Sequence, residues 1–158
     1  MKQSLTTGFS FGLTSGIITT LGLIVGLESG THSKVAVIGG ILTIAIADAF
    51  SDALGMHISQ ESNDQNNTKT IWEATVTTFL SKFIFAMTFI IPILFLELNY
   101  AIIINVVWGF LMLGLFSFYI ARKNNKSPFA AIKEHVFIGL LVVLLTSLIG
   151  KFVDATFN

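Results

Sequence analysis

The sequence predicts an all-α integral membrane protein with five transmembrane helices. The chain is 53% hydrophobic and only 11% charged, with a mean hydropathy of +0.81, whereas about 25% of the residues in soluble domains are charged. Five apolar segments are long enough to cross a bilayer, which takes about 20 residues. Only short polar linkers separate them, so residues 1–158 are expected to form a single transmembrane domain.

The first two predicted helices cover residues 8–27 and 34–59. The first follows a weakly basic start and has no small-residue cleavage site, which favours a membrane helix over a signal peptide. The second leads into a polar stretch, residues 60–69, which is expected to be a short loop.

The remaining predicted helices cover residues 71–96, 101–121 and 134–152. The third begins amphipathic and ends almost purely apolar. Pro92 is expected to kink it, because proline removes one backbone hydrogen bond. A basic linker, residues 122–128, precedes the fifth helix.

Basic residues predict the orientation of the chain. The side that holds the N-terminus and the second and fourth loops carries six of them: Lys2, Lys69, Arg122, Lys123, Lys126 and Lys133. The other side carries only Lys34 and Lys151. The positive-inside rule therefore places the N-terminus in the cytoplasm of a multi-pass cell-membrane protein. Five helices cannot form two equal inverted halves, so any pseudo-symmetry is expected to come from a homodimer.

Composition excludes several classes of function. The formal net charge is zero, which argues against a nucleic-acid partner. The chain has no cysteine, so disulfides and thiolate metal or iron–sulfur sites are excluded. No nucleophile–base pair, His-Glu-x-x-His motif or P-loop occurs. We therefore expect a protein that is not an enzyme, holds no cofactor and has the lipid bilayer as its surroundings.

Small residues share one face of the first helix. At about 100° per residue they fall within a stripe roughly 80° wide: Gly8, Gly12, Ser15, Thr19, Gly22 and Gly26. Small residues let helices approach closely in lipid. This face is expected to pack against another helix of the same chain or against a second copy. Its two hydroxyls, on Ser15 and Thr19, are also candidates to line an ion path.

Two aspartates lie one turn apart in the second helix. Asp48, Asp52 and Met56 follow the spacing i, i+4, i+8 and therefore form one ladder. A carboxylate at the centre of a membrane helix costs roughly 2.5–3.5 kcal/mol on insertion scales. Carboxylate oxygens suit Mn²⁺ and Fe²⁺, and a thioether shifts the preference away from Mg²⁺ and Ca²⁺. The ladder predicts a path for a divalent metal ion; alternatively, both aspartates are protonated and link helices by hydrogen bonds.

The ladder also suggests how transport is coupled. Metal binds the deprotonated form of a carboxylate, so a site that holds protons when empty exchanges them for metal. The pair titrates as a unit, and neither aspartate is assigned the proton.

Three other ionisable residues lie near the second helix or the inner surface. His57 lies about 180° around the helix from Asp48 and is expected to be a packing residue. Lys82 is expected to snorkel to the inner surface; alternatively, it is a counter-ion of the aspartates when metal is absent. Glu61 is a weak candidate for attracting cations at the inner mouth.

The first two helices resemble those of the vacuolar iron transporter family. Residues 14–27, TSGIITTLGLIVGL, and residues 47–59, ADAFSDALGMHIS, carry the likeness. The corresponding family patterns are Asn-Asp-Gly, two apolar residues, Thr-Thr-x-x-Leu-x-x-Gly, and Ser-Met-Ala-x-Gly-Glu-Tyr-x-Ser. The resemblance implies a five-helix homodimer with a path at its interface that moves Fe²⁺ or Mn²⁺ out of the cytosol against protons.

The chain departs from the family pattern at three places. The aspartate of the first helix falls on Ser15, and the methionine and glutamate of the second fall on Asp52 and Met56. The carboxylate and the thioether have thus exchanged positions, which are one turn apart, but both stay on the same face of the helix. Family members often carry a Glu-rich cytoplasmic module between helices two and three, and here only a short loop, residues 60–70, stands in its place.

The sequence therefore predicts a proton-coupled transporter of Fe²⁺ or Mn²⁺ that uses Asp48, Asp52, Met56, Ser15 and Thr19. Two alternatives remain open. One is a non-transporting membrane scaffold whose aspartates only hold helices together. The other is a proton-coupled transporter of a different small cation.

Overall fold

A computed structural model describes residues 3–63 and 66–157, which form long helices joined by short linkers. The helices are α1 (Gln3–Thr31), α2 (Lys34–Thr43), α3 (Ala49–Glu61), α4 (Thr68–Thr88), α5 (Ile90–Phe95), α6 (Leu98–Lys123) and α7 (Pro128–Phe157). A π-helical turn at Ile44–Asp48, here called the π segment, joins α2 to α3.

Five stretches of the described residues are long and apolar enough to span a membrane: Gln3–Thr31, Lys34–Glu61, Thr68–Phe95, Leu98–Lys123 and Pro128–Phe157. The predicted all-α fold class with five spans is therefore confirmed. Each span extends beyond its predicted segment at one end or both, most clearly in α7, which has 30 residues; the third span ends at Phe95, one residue before its predicted end. Hydropathy detects the part of a helix that lies in hydrocarbon, about 20 residues, while backbone hydrogen bonding continues into the interfacial region.

Side chains in the linkers begin two of the spans. Ser33 caps α2 by accepting a hydrogen bond from the Ala36 N–H, and Asn67 caps α4 by accepting one from the Thr70 N–H. These caps satisfy backbone donors that have no partner in the first turn of a helix. Short capped linkers keep consecutive spans antiparallel and adjacent.

The third span is interrupted at Phe89, between α4 and α5. The cause lies one turn later, because Pro92 has no N–H to donate to the carbonyl of Thr88. Asn105 of α6 donates its side-chain amide to the Phe89 carbonyl oxygen at 3.0 Å, and the Trp108 indole N–H donates to the Thr88 hydroxyl at 3.1 Å. The fourth span therefore supplies hydrogen bonds where the third loses its regular pattern.

The first span lies at the centre of the bundle. α1 packs against α4 and α7 most extensively and also contacts α2 and α6. Its buried apolar side chains, Leu13, Ile17, Leu21 and Ile24, form the core together with residues of α2, α5 and α6. In contrast, α7 exposes most of its apolar side chains, as expected for a helix that faces lipid.

The small-residue face of α1 packs within the chain. A Cβ placed on Gly12 would lie 2.4 Å from the carbonyl oxygen of Thr78 on α4, and one on Gly22 would lie 2.8 Å from the Val142 side chain on α7. Of the two interpretations of this face, intramolecular packing is the one that the structure supports. α4 covers Gly8 and Gly12, so a second copy cannot contact them, whereas Gly22 and Gly26 line an open apolar groove between α1 and α7.

Candidate functional site

The second span changes its winding just before the two aspartates. The π segment ends at Asp48, and α3 carries Asp52 in its first turn. Single π turns inside α-helices are rare and often occur at functional sites. Because α3 begins directly after the π segment, Asp48, Asp52 and Met56, which are four residues apart in the sequence, lie on successive helical turns.

A lysine from the third span reaches both aspartates. The Lys82 ammonium lies 2.5 Å from Asp52 Oδ2 and also pairs with Asp48 Oδ2. It donates a further hydrogen bond of 3.0 Å to the hydroxyl of Ser15 on α1. We call these four residues, Ser15, Asp48, Asp52 and Lys82, the midspan network, because each lies near the middle of its span.

The network joins three spans through one close helix contact. Gly16, next to Ser15, lies directly against the backbone of Lys82, and a Cβ there would lie 3.1 Å from the Lys82 carbonyl oxygen. The missing side chain lets α1 approach α4 closely. The Ser15 hydroxyl is thereby brought within hydrogen-bond distance of the ammonium group.

Burial is uneven across the network. The Lys82 side chain is 1% exposed, whereas those of Asp48 and Asp52 are 30% and 19% exposed. The expectation that Lys82 snorkels to the inner surface is therefore wrong, and the counter-ion alternative describes its position. The lysine is held inside the bundle, and the carboxylates open toward the surface of the chain.

Other residues considered for the site, Met56, Thr19 and His57, lie outside these contacts. Met56 is buried one turn after Asp52. The Thr19 hydroxyl donates to the carbonyl oxygen of Ser15 at 2.8 Å, within its own helix. His57 faces away, as expected: its Nδ1 lies 3.0 Å from the Thr75 hydroxyl, and its ring packs edge-on against Trp72.

The carboxylates are not joined by other metal-binding side chains. Among residues 3–63 and 66–157, no three His, Cys, Asp or Glu side chains lie together as a metal site. The described part of the chain thus supplies two carboxylates at this site, and further ligands for an ion must come from hydroxyl groups, the Met56 thioether, water or another chain.

A polar cavity of about 330 Å³ opens where α1 and α4 begin and α3 ends. Amide and hydroxyl side chains line it: Gln3, Ser4, Thr7, Gln60, Asn63, Asn66 and Thr70. Beside it the Ser4 hydroxyl donates to Glu73 Oε2 at 2.8 Å. We call this cavity the polar vestibule; it lies one turn beyond Met56 along α3. Glu61 lies exposed near its rim.

Two features of the site were not predicted from the sequence. The π segment carries no proline or other local signal, so its residues suggest an ordinary helix. The ion pair of Lys82 with two aspartates was only an alternative, although one signal favoured it. A charged residue in the middle of an apolar span is expected to face the bundle interior and to pair with an opposite charge.

Comparison with known families gives a match. The model of the VIT family, the vacuolar iron transporters, matches residues 56–151, more than half of the chain. The matched part includes Met56 and Lys82 and begins after Asp48 and Asp52. No curated protein matches the chain. The breadth of the family match, together with the five spans, shows that this chain belongs to the vacuolar iron transporter family, whose members transport metal ions across membranes and are not enzymes.

Proposed function

We propose that this protein transports Fe²⁺ or Mn²⁺ out of the cytosol in exchange for protons, and that the metal binds at Asp48 and Asp52. The observation that carries the proposal is the charge of the midspan network. One lysine faces two carboxylates near the middle of the membrane. If Lys82 balances one aspartate, the other still requires a cation or a proton.

The ligand chemistry favours transition metals over alkaline-earth ions. Asp48 and Asp52 offer hard oxygen ligands, and Met56, one turn away, offers a soft sulfur ligand. Ser15 and Thr19 would add hydroxyl oxygens from α1. The sulfur disfavours Mg²⁺ and Ca²⁺, which prefer sites made of oxygen alone, and the carboxylates suit Mn²⁺ as well as Fe²⁺.

Proton exchange follows from the same groups. A metal ion binds carboxylates only in their deprotonated form, so metal entry releases any proton held there. When the metal leaves, another cation must balance the carboxylate charge, since an unpaired charge in the middle of a membrane is costly, and we propose that protons serve this purpose.

The direction of transport rests on the orientation. The N-terminal side carries the excess of lysine and arginine, which assigns it to the cytoplasm; Lys2, one of the six residues counted, lies outside the described residues. The polar vestibule lies on this side and is a suitable entrance for hydrated ions. The membrane we propose is the cell membrane.

A homodimer is part of the proposal, and its interface is the second span. Small residues repeat every four positions along its exposed face: Gly39, Thr43, Ala47, Ser51, Gly55 and Ser59. A Cβ on Gly39 or Gly55 would meet no atom within 4 Å. In lipid such stripes support close helix association. Since the partly exposed Asp48 and Asp52 lie beside it, a second copy would cover them and contribute its own carboxylates.

Cysteine cross-linking tests this interface directly, because the chain has no cysteine of its own. We expect Ser51→Cys or Gly55→Cys to give a disulfide-linked dimer in membranes under mild oxidation. Leu148→Cys, on the exposed face of α7, is the matched control and should remain monomeric on denaturing gels. Equal cross-linking of all three variants, or none at residues 51 and 55, would contradict the proposed interface.

The transport proposal is tested by flux in proteoliposomes that contain a metal-sensitive dye and a pH-sensitive dye. We expect Fe²⁺ or Mn²⁺ entry with opposite proton movement, reduced at least about tenfold by Asp52→Asn, and little flux of Ca²⁺ or Mg²⁺. Glu134→Gln removes an exposed carboxylate from α7 and should leave the flux unchanged. Unchanged flux in both Asp52→Asn and Asp48→Asn would overturn the proposal.

The midspan network also favours a second candidate, the non-transporting scaffold. An ammonium group that bridges two carboxylates and a hydroxyl links three spans. The scaffold predicts that Asp52→Asn lowers thermal stability and that no metal ion alters it. Metal-driven flux in the wild-type protein excludes this candidate.

A further inference from the structure

The Lys82 ammonium occupies the position between the two carboxylates where a bridging ion would bind. Its contacts are Asp48 Oδ2, Asp52 Oδ2 and the Ser15 hydroxyl. Of the three N–H donors of a lysine ammonium, two form hydrogen bonds, with Asp52 Oδ2 and with the Ser15 hydroxyl, and Asp48 Oδ2 is held as an ion pair. The lysine is therefore seated in a formed cation site whose ligands are oxygen atoms.

A metal ion and this ammonium cannot hold the same oxygens at once. Fe²⁺ or Mn²⁺ contacts carboxylate oxygen at a distance shorter than a hydrogen bond, and two cations this close repel each other strongly at low dielectric. Binding of metal therefore requires that the ammonium leave one or both aspartates.

The side chain can leave while the backbone stays fixed. The backbone of Lys82 is held against Gly16 of α1. Its ammonium is carried on a flexible four-carbon stem, so rotation within the stem can withdraw the charge.

We propose that Lys82 is a tethered competitor of the transported ion and determines the affinity and charge selectivity of the site. This inference rests on the proposed function. A monovalent ion brings no more charge to the aspartates than the tethered ammonium does and does not displace it. A divalent ion brings twice the charge and does. When the ion leaves, the ammonium returns, which promotes release.

Substitution by methionine tests the competition, since it keeps the length of the side chain and removes the charge. We expect Lys82→Met to bind Mn²⁺ about tenfold more tightly or more and to transport it more slowly, because release is no longer assisted. Na⁺ and K⁺ should now compete with Mn²⁺. Lys133→Met, an exposed lysine of α7, is the matched control and should behave as wild type.

Substitution of Lys82 by arginine provides the opposite test. It also provides a second variant in case Lys82→Met folds only when metal is present. The guanidinium keeps its charge and can hold a carboxylate with two hydrogen bonds. We expect Lys82→Arg to bind Mn²⁺ more weakly than wild type. Calorimetry on the detergent-purified protein gives the affinities, and thermal unfolding with and without Mn²⁺ gives the metal-dependent stabilisation, which should be largest for Lys82→Met.

The outcomes separate this inference from the proposed function. If wild type transports Mn²⁺ but Lys82→Met binds it with equal or lower affinity, the competitor role is wrong and transport stands. If neither wild type nor Lys82→Met binds any divalent metal, both fail. Tighter binding in Lys82→Met, weaker binding in Lys82→Arg and no change in Lys133→Met support the competitor.

Discussion

Replacing Asp48 and Asp52 together with asparagine is expected to destabilise the protein severely. The double variant leaves the Lys82 ammonium, which is 1% exposed, without a carboxylate partner. Removing one side of a buried ion pair costs about 3–5 kcal/mol. We expect low yield and a much reduced midpoint of thermal unfolding in detergent.

Adding Lys82→Met to the double variant is expected to restore folding and leave metal flux absent. The triple variant has no charge in the midspan network, and uncharged groups of similar volume are tolerated in place of a buried ion pair. Recovered stability with no flux would show that the network's charges serve transport and that the fold can do without them. Stability of the double variant equal to wild type would contradict the pairing of Lys82.

The second large effect is expected from Gly12→Val. A Cβ on Gly12 would lie 2.2 Å from the Ser81 hydroxyl oxygen and 2.4 Å from the Thr78 carbonyl oxygen. The hydroxyl can rotate away, but the backbone oxygen cannot, so α1 must separate from α4. Overpacking of this kind costs about 1–3 kcal/mol. The separation would also draw Ser15 away from Lys82, one turn further along the same contact.

Thermal unfolding and metal flux should therefore both fall in Gly12→Val. Gly114→Val is the matched control: it adds the same β-branched side chain to α6, where a Cβ would meet no atom within 4 Å. An unfolding midpoint for Gly12→Val equal to that of Gly114→Val would mean that the α1–α4 contact is looser than described.

The fold was predictable because membrane spans depend on local composition. Twenty apolar residues identify a span wherever it packs; four of the five predicted segments lie within observed spans, and the third exceeds its span by one residue. The interruption at Phe89 was predictable as well, since Pro92 lacks an N–H whatever its neighbours are. Its partner Asn105 required tertiary structure, although a lone amide in an apolar helix already suggested a hydrogen bond between helices.

The sequence predicted only those features of the site that lie within a single helix. The ladder of Asp48, Asp52 and Met56 follows from helical periodicity alone. Lys82 lies 30 residues from Asp52 in the sequence, and its flexible stem is compatible with either snorkelling or pairing. Only the packing of α1 and α4, which buries the lysine, decides between the two.

Glycine patterns alone did not determine which helix packs on a small-residue face. The small-residue faces of α1 and of the second span look equally suited to helix association, but the first packs largely against α4 and α7, and the second stays exposed. The family was recognised from the first two helices, while the family match covers residues 56–151. Recognition was confirmed by a largely different part of the chain.

The π segment has a consequence for comparing this span with relatives. A π turn closes its hydrogen bonds from residue i to i+5 and so accommodates one more residue than an α-helical turn. One residue corresponds to about 100° of rotation. If this span is aligned without a gap to a relative whose helix has no π turn, residues on equivalent helix faces are therefore matched on only one side of Ile44–Asp48. A one-residue gap within the π segment keeps both Gly39 and Asp52 opposite their structural equivalents.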